Sequence, residues 1–212
     1  MELSHRESTC TAQSDVVPRC PASRRLAVRR ACRADAKNIH ALIDSMTADG
    51  TLLRRSLSEI EQHCDTFVVA ELLVGPDKYG PQEHGPEKHD ACENRFLGCA
   101  ALHRYGAHLA EIRSIAVRPE ARGLGAGGML LEQLLRDVAE TGTQCACLFT
   151  RIPGFFEHYG FHNISLAAVP DKVAKDCVRC PRRDACDEIA MALGELPVPL
   201  PTLRVARQLV QL

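Results

Sequence analysis

Arg122-Gly123-Leu124-Gly125-Ala126-Gly127 follows an alternating run, Glu111 to Val117, and precedes an apolar helix pattern, Met129 to Ala139. A loop so short and so poor in side chains lets its backbone N–H groups converge at the start of a helix, where the helix dipole favours negative charge. The stretch reads as a pyrophosphate cradle, and its surroundings decide which kind. A dinucleotide fingerprint puts its first Gly at the end of a first strand and an acidic residue roughly 20 residues on, closing a second strand. Glu140 stands near that distance but ends a helix pattern. A nucleoside-triphosphate loop needs Gly-Lys-Ser/Thr after its spacer, whereas Gly127 is followed by Gly128 and Met129. Both readings fail.

What remains is a strand, the turn Val117-Arg118-Pro119-Glu120, an Arg-x-x-Gly-x-Gly loop and a helix. Further out, Gln144 to Thr150 reads as a strand, and Gly154-Phe155-Phe156-Glu157-His158-Tyr159-Gly160-Phe161 as a short helix closed by Gly-Phe. This series resembles the GNAT superfamily of acyl-CoA-dependent N-acetyltransferases. A glycine-rich turn with no ligand is the plain alternative.

The chain has 212 residues, 45% hydrophobic and 25% charged, which suits one globular core. A net charge of −1 supplies no global basic field to draw it onto nucleic acid or an anionic membrane, so neither is an expected partner. No apolar stretch approaches the roughly 18 to 20 residues of a membrane span, and the first residues lack a secretory core, so a cytoplasmic location is expected. The cysteines are scattered, and a chain of this length needs no staples; most read as reduced thiols, with Cys99, Cys145 and Cys147 as small strand residues.

Three regions are expected: a flexible leader over 1–24, the catalytic domain over 25–194 and a Pro-containing tail over 195–212. Within the domain, Leu26 to Cys32 alternates as a first strand, and Asp35 to Met46 places Ile39, Leu42, Ile43 and Met46 at helical spacing. Ser56-Leu57-Ser58-Glu59 has the capping-box pattern before a short helix, and Thr66 to Val74 is rich in strand formers. Residues 75–94, crowded with Pro, Gly, His and charge, read as a long polar hairpin loop whose His84 and His89 are either solvated or metal-binding. Phe96 to Tyr105 and Leu109 to Val117 give two more strands. The order β-α-α-β-β-β-α-β-α-β matches the superfamily and predicts an α+β (α/β) fold with a mixed, splayed central sheet flanked by helices. The splay should fall between the fourth and fifth strands, where a pantetheine arm would enter.

By that resemblance, acetyl-CoA is the co-substrate and no metal is required for catalysis. Ile115 and Val117 offer their backbone to the acetyl and pantetheine groups, and an N–H at Ile115 aimed at the thioester oxygen would act as an oxyanion donor. Arg122, Gly123, Leu124, Gly125, Ala126, Gly127 and Gly128 face the diphosphate. Glu111, at the start of the strand that holds the acetyl group, is the candidate base for the amine; a salt bridge to Arg113, two residues on and on the same face, is its structural alternative. Many superfamily members carry a tyrosine as acid for the departing thiolate, and here that position is Phe156, assigned to the coenzyme site. Tyr159 is the nearest hydroxyl and the second catalytic candidate, with water as its substitute.

Several dispersed motifs narrow the resemblance: Asp49-Gly50-Thr51-Leu52-Leu53-Arg54-Arg55-Ser56, Gly98 to His103, Ala110 to Val117, Phe149-Thr150-Arg151 and Lys172 to Pro181. Together they are similar to the short, kinase-free form of bacterial N-acetylglutamate synthase, which implies a small-molecule amino-acid substrate. An acidic amino acid brings two carboxylates, suited to arginine's planar fork; of Arg54, Arg55, Arg113 and Arg151, the strand-borne Arg113 and Arg151 are the expected ligands. Another amine, such as a peptide N-terminus or a polyamine, and a non-catalytic CoA-binding regulator are the rival readings. Cys177, Cys180 and Cys186 form either three ligands of a metal site, a redox pair or reduced thiols. The apolar end of the tail suggests a homodimer contact.

Overall fold

A computed structural model of the chain describes residues 24–48, 50–74 and 95–196. The expected leader up to residue 23, the loop over 75–94 with its two histidines, and all but the first two residues of the expected tail lie outside the described residues; Arg24, the leader's expected last residue, begins the first strand.

The elements run β1 (Arg24–Arg30), α1 (Ala36–Ser45), α2 (Leu57–Gln62), β2 (Phe67–Val74), β3 (Arg95–Arg104), β4 (Leu109–Val117), α3 (Ala126–Glu140), β5 (Cys145–Thr150), α4 (Pro153–Glu157), β6 (His162–Asn163), α5 (Pro170–Lys175) and β7 (Ile189–Gly194). The strands form one sheet in the order β1-β2-β3-β4-β5-β7-β6. All neighbours are antiparallel except β4 and β5.

Alternation along the strands sorts the core into two layers. Ala100, Leu102, Ala110 and Ile112 turn to the face covered by α3, which lays Leu130, Leu131, Leu134 and Val138 along one stripe at helical spacing. Cys99, Ala101, Phe67 and Val69 turn to the other face, beneath Ile39, Leu42 and Ile43 of α1 and Ile60 of α2. Ser56 starts α2 as its spacing predicts, its Oγ accepting from the Glu59 amide at 3.1 Å.

The splay lies where expected. β4 and β5 pair only at Leu109–Cys145, Ala110–Ala146 and Glu111–Cys147. Beyond Glu111 the strands part, β4 running on to Val117 and β5 to Thr150. A bulge sharpens the divergence: the β3–β4 register shifts between Cys99 and Ala101, and Ser114 adopts φ +56°.

The end of the chain extends the expected order. The strand after α4 shrinks to His162–Asn163, while α5 and β7 follow it, and β7 returns between β5 and β6. Ile189-Ala-Met-Ala-Leu-Gly194 lacks the β-branched alternation that marks a strand and is shaped by burial, with Ala190, Met191 and Ala192 enclosed. No described helix is long and apolar enough to cross a membrane.

Candidate active site

The glycine loop turns out of β4 through a short 3-10 turn, Pro119–Ala121, and enters α3 with Gly125 as its N-cap. Gly123 and Gly125 have φ of +78° and +88°, a backbone that other residues adopt at a cost. Among the described residues, and apart from its own chain neighbours, a Cβ at either would meet nothing within 4 Å, so this side of the loop is open. Among the described residues no backbone carbonyl accepts from the amides of Gly123, Gly125, Ala126, Gly127 or Gly128, whereas Met129 N–H already donates to Gly125 at 3.1 Å. Unpaired amides at the positive end of a 15-residue helix, with glycines clearing the approach, fit an anionic diphosphate. Arg122 and Leu124 are exposed at the loop's rim, and Ala126 is buried beneath it.

Gly127 and Gly128 belong to the helix itself, and they differ. A Cβ at Gly127 would reach Phe155 and Val117 at an ordinary 3.7 Å, whereas one at Gly128 would collide with the Tyr159 hydroxyl. Tyr159, read from the sequence as a catalytic candidate, thus stands against the first turn of α3, its ring tilted on Phe155 at 5.5 Å. In a double-mutant cycle, Gly128→Ala is expected to destabilise the wild type relative to a Tyr159→Phe background, with a coupling of about 1 kcal/mol, the scale of modest overpacking. Thermal unfolding of the four proteins measures it; strict additivity would show that the ring moves aside freely. Phe156 is buried in the α3-side core, edge-on to Phe155 and Phe161.

On β4, Ile115 and Val117 are half-buried and pack against the α3-side core. Ser114 and Ile115 fall in the bulge and have no register partner on β3 or β5. On the opposite face the buried Glu111 stands at the point where β4 and β5 separate. Its Oε1 accepts from Lys172 Nζ at 2.7 Å, its Oε2 contacts the Tyr105 hydroxyl at 2.8 Å, and Arg113 lies 3.8 Å away. Asp176 closes the group, 2.7 Å from Tyr105, 3.1 Å from Lys172 and 3.4 Å from Arg113. The expected Glu111–Arg113 proximity is real, but Lys172 of α5 and Tyr105, just past β3, are tighter partners.

Arg55 joins this group from the segment before α2. Its side chain is 14% exposed, paired with Glu59 at 3.0 Å, and its guanidinium lies over the Phe67 ring. Burial and the nearby charge of Arg113 pull its pKa below the usual arginine value. Arg54, its neighbour in sequence, points to Asp44 at the surface. Arg151 stands apart from Glu111: it reaches Asp187 at 2.8 Å and the Gly50 carbonyl at 2.6 Å, and Arg182 donates to that same carbonyl. It therefore ties the segment leading to Arg55 to the chain's return after α5.

Cys177 and Cys180 are half-buried and Cys186 is exposed, all three as free thiols, and burial pushes Cys177 up. No group of three or more His, Cys, Asp or Glu among the described residues is arranged to hold a metal ion. Sequence reading had not singled out Tyr105, Lys172 or Asp176. Only the Lys172 to Pro181 motif, quoted for its resemblance, touched on two of them.

Comparison with known proteins agrees with this geometry. The Acetyltransferase (GNAT) domain profile matches residues 88–163. An uncharacterized N-acetyltransferase of Chlorobaculum tepidum is 34% identical over 164 residues, covering 77% of this chain and 93% of its own. The amino-acid acetyltransferase of Mycobacterium tuberculosis is 31% identical over 159 residues, 75% of this chain and 81% of its own. Among solved structures, N-acetylglutamate synthase from Neisseria gonorrhoeae, complexed with coenzyme A and N-acetyl-glutamate, superposes with a TM-score of 0.63 at 25% identity, over 80% of this chain and 35% of that one. With a third of its aligned residues shared along nearly the whole Chlorobaculum protein, this chain belongs to the GNAT family and is an N-acetyltransferase.

Proposed function

We propose that this acetyltransferase acetylates the α-amine of L-glutamate, giving N-acetyl-L-glutamate, the opening step of arginine biosynthesis, by direct transfer from acetyl-CoA in a ternary complex. The observation that carries the reading is the buried Glu111 with the Arg113 guanidinium 3.8 Å from it, and the largely buried Arg55, which the charge of Arg113 reaches. Arginine's planar fork favours a carboxylate, and two such forks in one partly buried cleft suit an acceptor that carries two carboxylates. Arg113 and Arg55 would receive the substrate's carboxylates, and Arg151, bound to Asp187 and the Gly50 carbonyl, would hold in place the segment that leads to Arg55. The names of the Mycobacterium and Neisseria relatives support an amino-acid acceptor.

An ammonium cannot attack a thioester until it loses a proton, and Glu111 takes it, directly or through a water. The amides of Gly123, Gly125, Ala126, Gly127 and Gly128 and the side chain of Arg122 hold the diphosphate, while the backbone at Ile115, in the bulge, and at Val117 orients the acetyl group for attack. With Phe156 lacking a hydroxyl and Tyr159 standing against Gly128, the departing thiolate takes its proton from water.

Thiol release from acetyl-CoA, followed across a panel of amino acids, polyamines and short peptides, tests the assignment. Glutamate is expected to give at least tenfold greater kcat/KM than any polyamine or peptide, a gap of about 1.4 kcal/mol. Preference for a polyamine or a peptide N-terminus, or coenzyme binding with no release for any acceptor, overturns it.

A further inference from the structure

Tyr105, one residue past β3, has its hydroxyl between two carboxylates, 2.8 Å from Glu111 Oε2 and 2.7 Å from Asp176 Oδ2. A phenol carries one proton and donates to one acceptor at a time. The second contact is a hydrogen bond only when that carboxyl itself holds a proton. Three oxygens so placed, one proton short of two bridges, form a line along which a proton moves by exchange of bonds. The two ends differ in access to water: the Glu111 side chain is 4% exposed and that of Asp176 is 34%.

We propose that Tyr105 and Asp176 conduct to solvent the proton that Glu111 removes from the acceptor amine, an assignment that rests on Glu111 being the base. Glu111, protonated on Oε2, donates to Tyr105 Oη while Tyr105's own proton passes to Asp176 Oδ2. Glu111 is again a carboxylate, the tyrosine is again neutral, and Asp176 releases the proton to water. No charge is left behind, and the base is ready for the next amine.

The surrounding groups close the other routes. Lys172 touches the same two carboxylates, but they hold its pKa up against the opposing effect of burial, so it stays a donor. A guanidinium is a donor only and does not pass a proton on, which closes the arginines of the cleft as a route. His103 lies opposite Glu111 on β3, its ring edge-on to Tyr105 at 4.7 Å; burial and then the charge of Arg113 push its pKa down, so it is neutral and holds no extra proton. Cys147, opposite on β5, has its thiol pushed up by burial. Lys175 lies over the Tyr105 ring at 5.2 Å. Burial and the Glu111 charge raise the phenol far above its ordinary value, so transfer through it is concerted and passes no phenolate. Burial opposes charge on Asp176, yet the Tyr105 hydrogen bond and the Lys172 charge prevail and keep its pKa low, so a proton arriving there is readily given up.

Tyr105→Phe and Asp176→Asn in the full chain, checked for unchanged melting, test the path by steady-state acetylation of glutamate at saturating acetyl-CoA, where Glu111 must be cleared of its proton once per turnover. Each is expected to lower kcat roughly tenfold, with the acceptor KM within about twofold of wild type, at the low end of what a proton-transfer group contributes. Small imidazole buffers, which remove a proton from a cleft directly, should restore most of the Tyr105→Phe rate and leave wild type unchanged. Wild-type rates in either variant, or a slow Tyr105→Phe that imidazole does not relieve, overturn the path. A Glu111→Gln enzyme of normal rate would instead remove the base itself, so the two failures are told apart.

Discussion

Glu111→Gln is expected to lower kcat by about 10²- to 10⁴-fold, the usual contribution of a positioned proton acceptor, while coenzyme A binds as before. The substitution keeps the shape of the side chain. Its carbonyl oxygen can still accept from Lys172, and its amide can donate to Tyr105, which then donates to Asp176, so the pairing inside the cleft survives. What disappears is the ability to take a proton. The Lys172 ammonium keeps Asp176 as a counter-charge and is not stranded. Steady-state kinetics, with coenzyme affinity measured by calorimetry on the same protein, separates the two effects. Activity within tenfold of wild type would make Glu111 an ion-pair partner only.

Gly125→Ala should weaken coenzyme A binding by roughly 10- to 100-fold, which corresponds to about 1.4 to 2.7 kcal/mol, within the cost of holding an ordinary residue in a left-handed conformation. At φ +88° the alanine either strains the N-cap or relaxes it and turns the first amides of α3 away from their common focus. Among the described residues beyond its chain neighbours nothing lies within 4 Å of the added carbon, so a clash with them does not account for a loss of affinity. Calorimetric titration reads the change, and unaltered affinity would place the diphosphate elsewhere.

The stretch from Glu111 to Glu140 was legible because each part constrains the next. A strand of period two, glycines where the backbone must turn, and a helix of period 3.6 leave few arrangements. The splay followed from connectivity, since the helix after β4 must cross over before β5 can pair beside it. The tail end was not legible. Ile189 to Gly194 is a strand by virtue of where it lies, between β5 and β6, and nothing local distinguishes it. The cleft was half legible. Glu111 and Arg113 share a strand face and could be paired on paper, whereas Lys172 and Asp176 reach them from 61 and 63 residues away, a proximity that only the folded chain creates. Arg55 and its neighbour Arg54 are alike in sequence; burial alone turns one inward and leaves the other on the surface.

The matched domain stops at residue 163, yet Lys172 and Asp176, the counter-charges of Glu111, come from α5 and the residue after it. The diphosphate loop and the counter-charges of Glu111 thus come from separate stretches of chain, so a substitution on the returning segment reaches the acceptor pocket without touching the loop that opens α3.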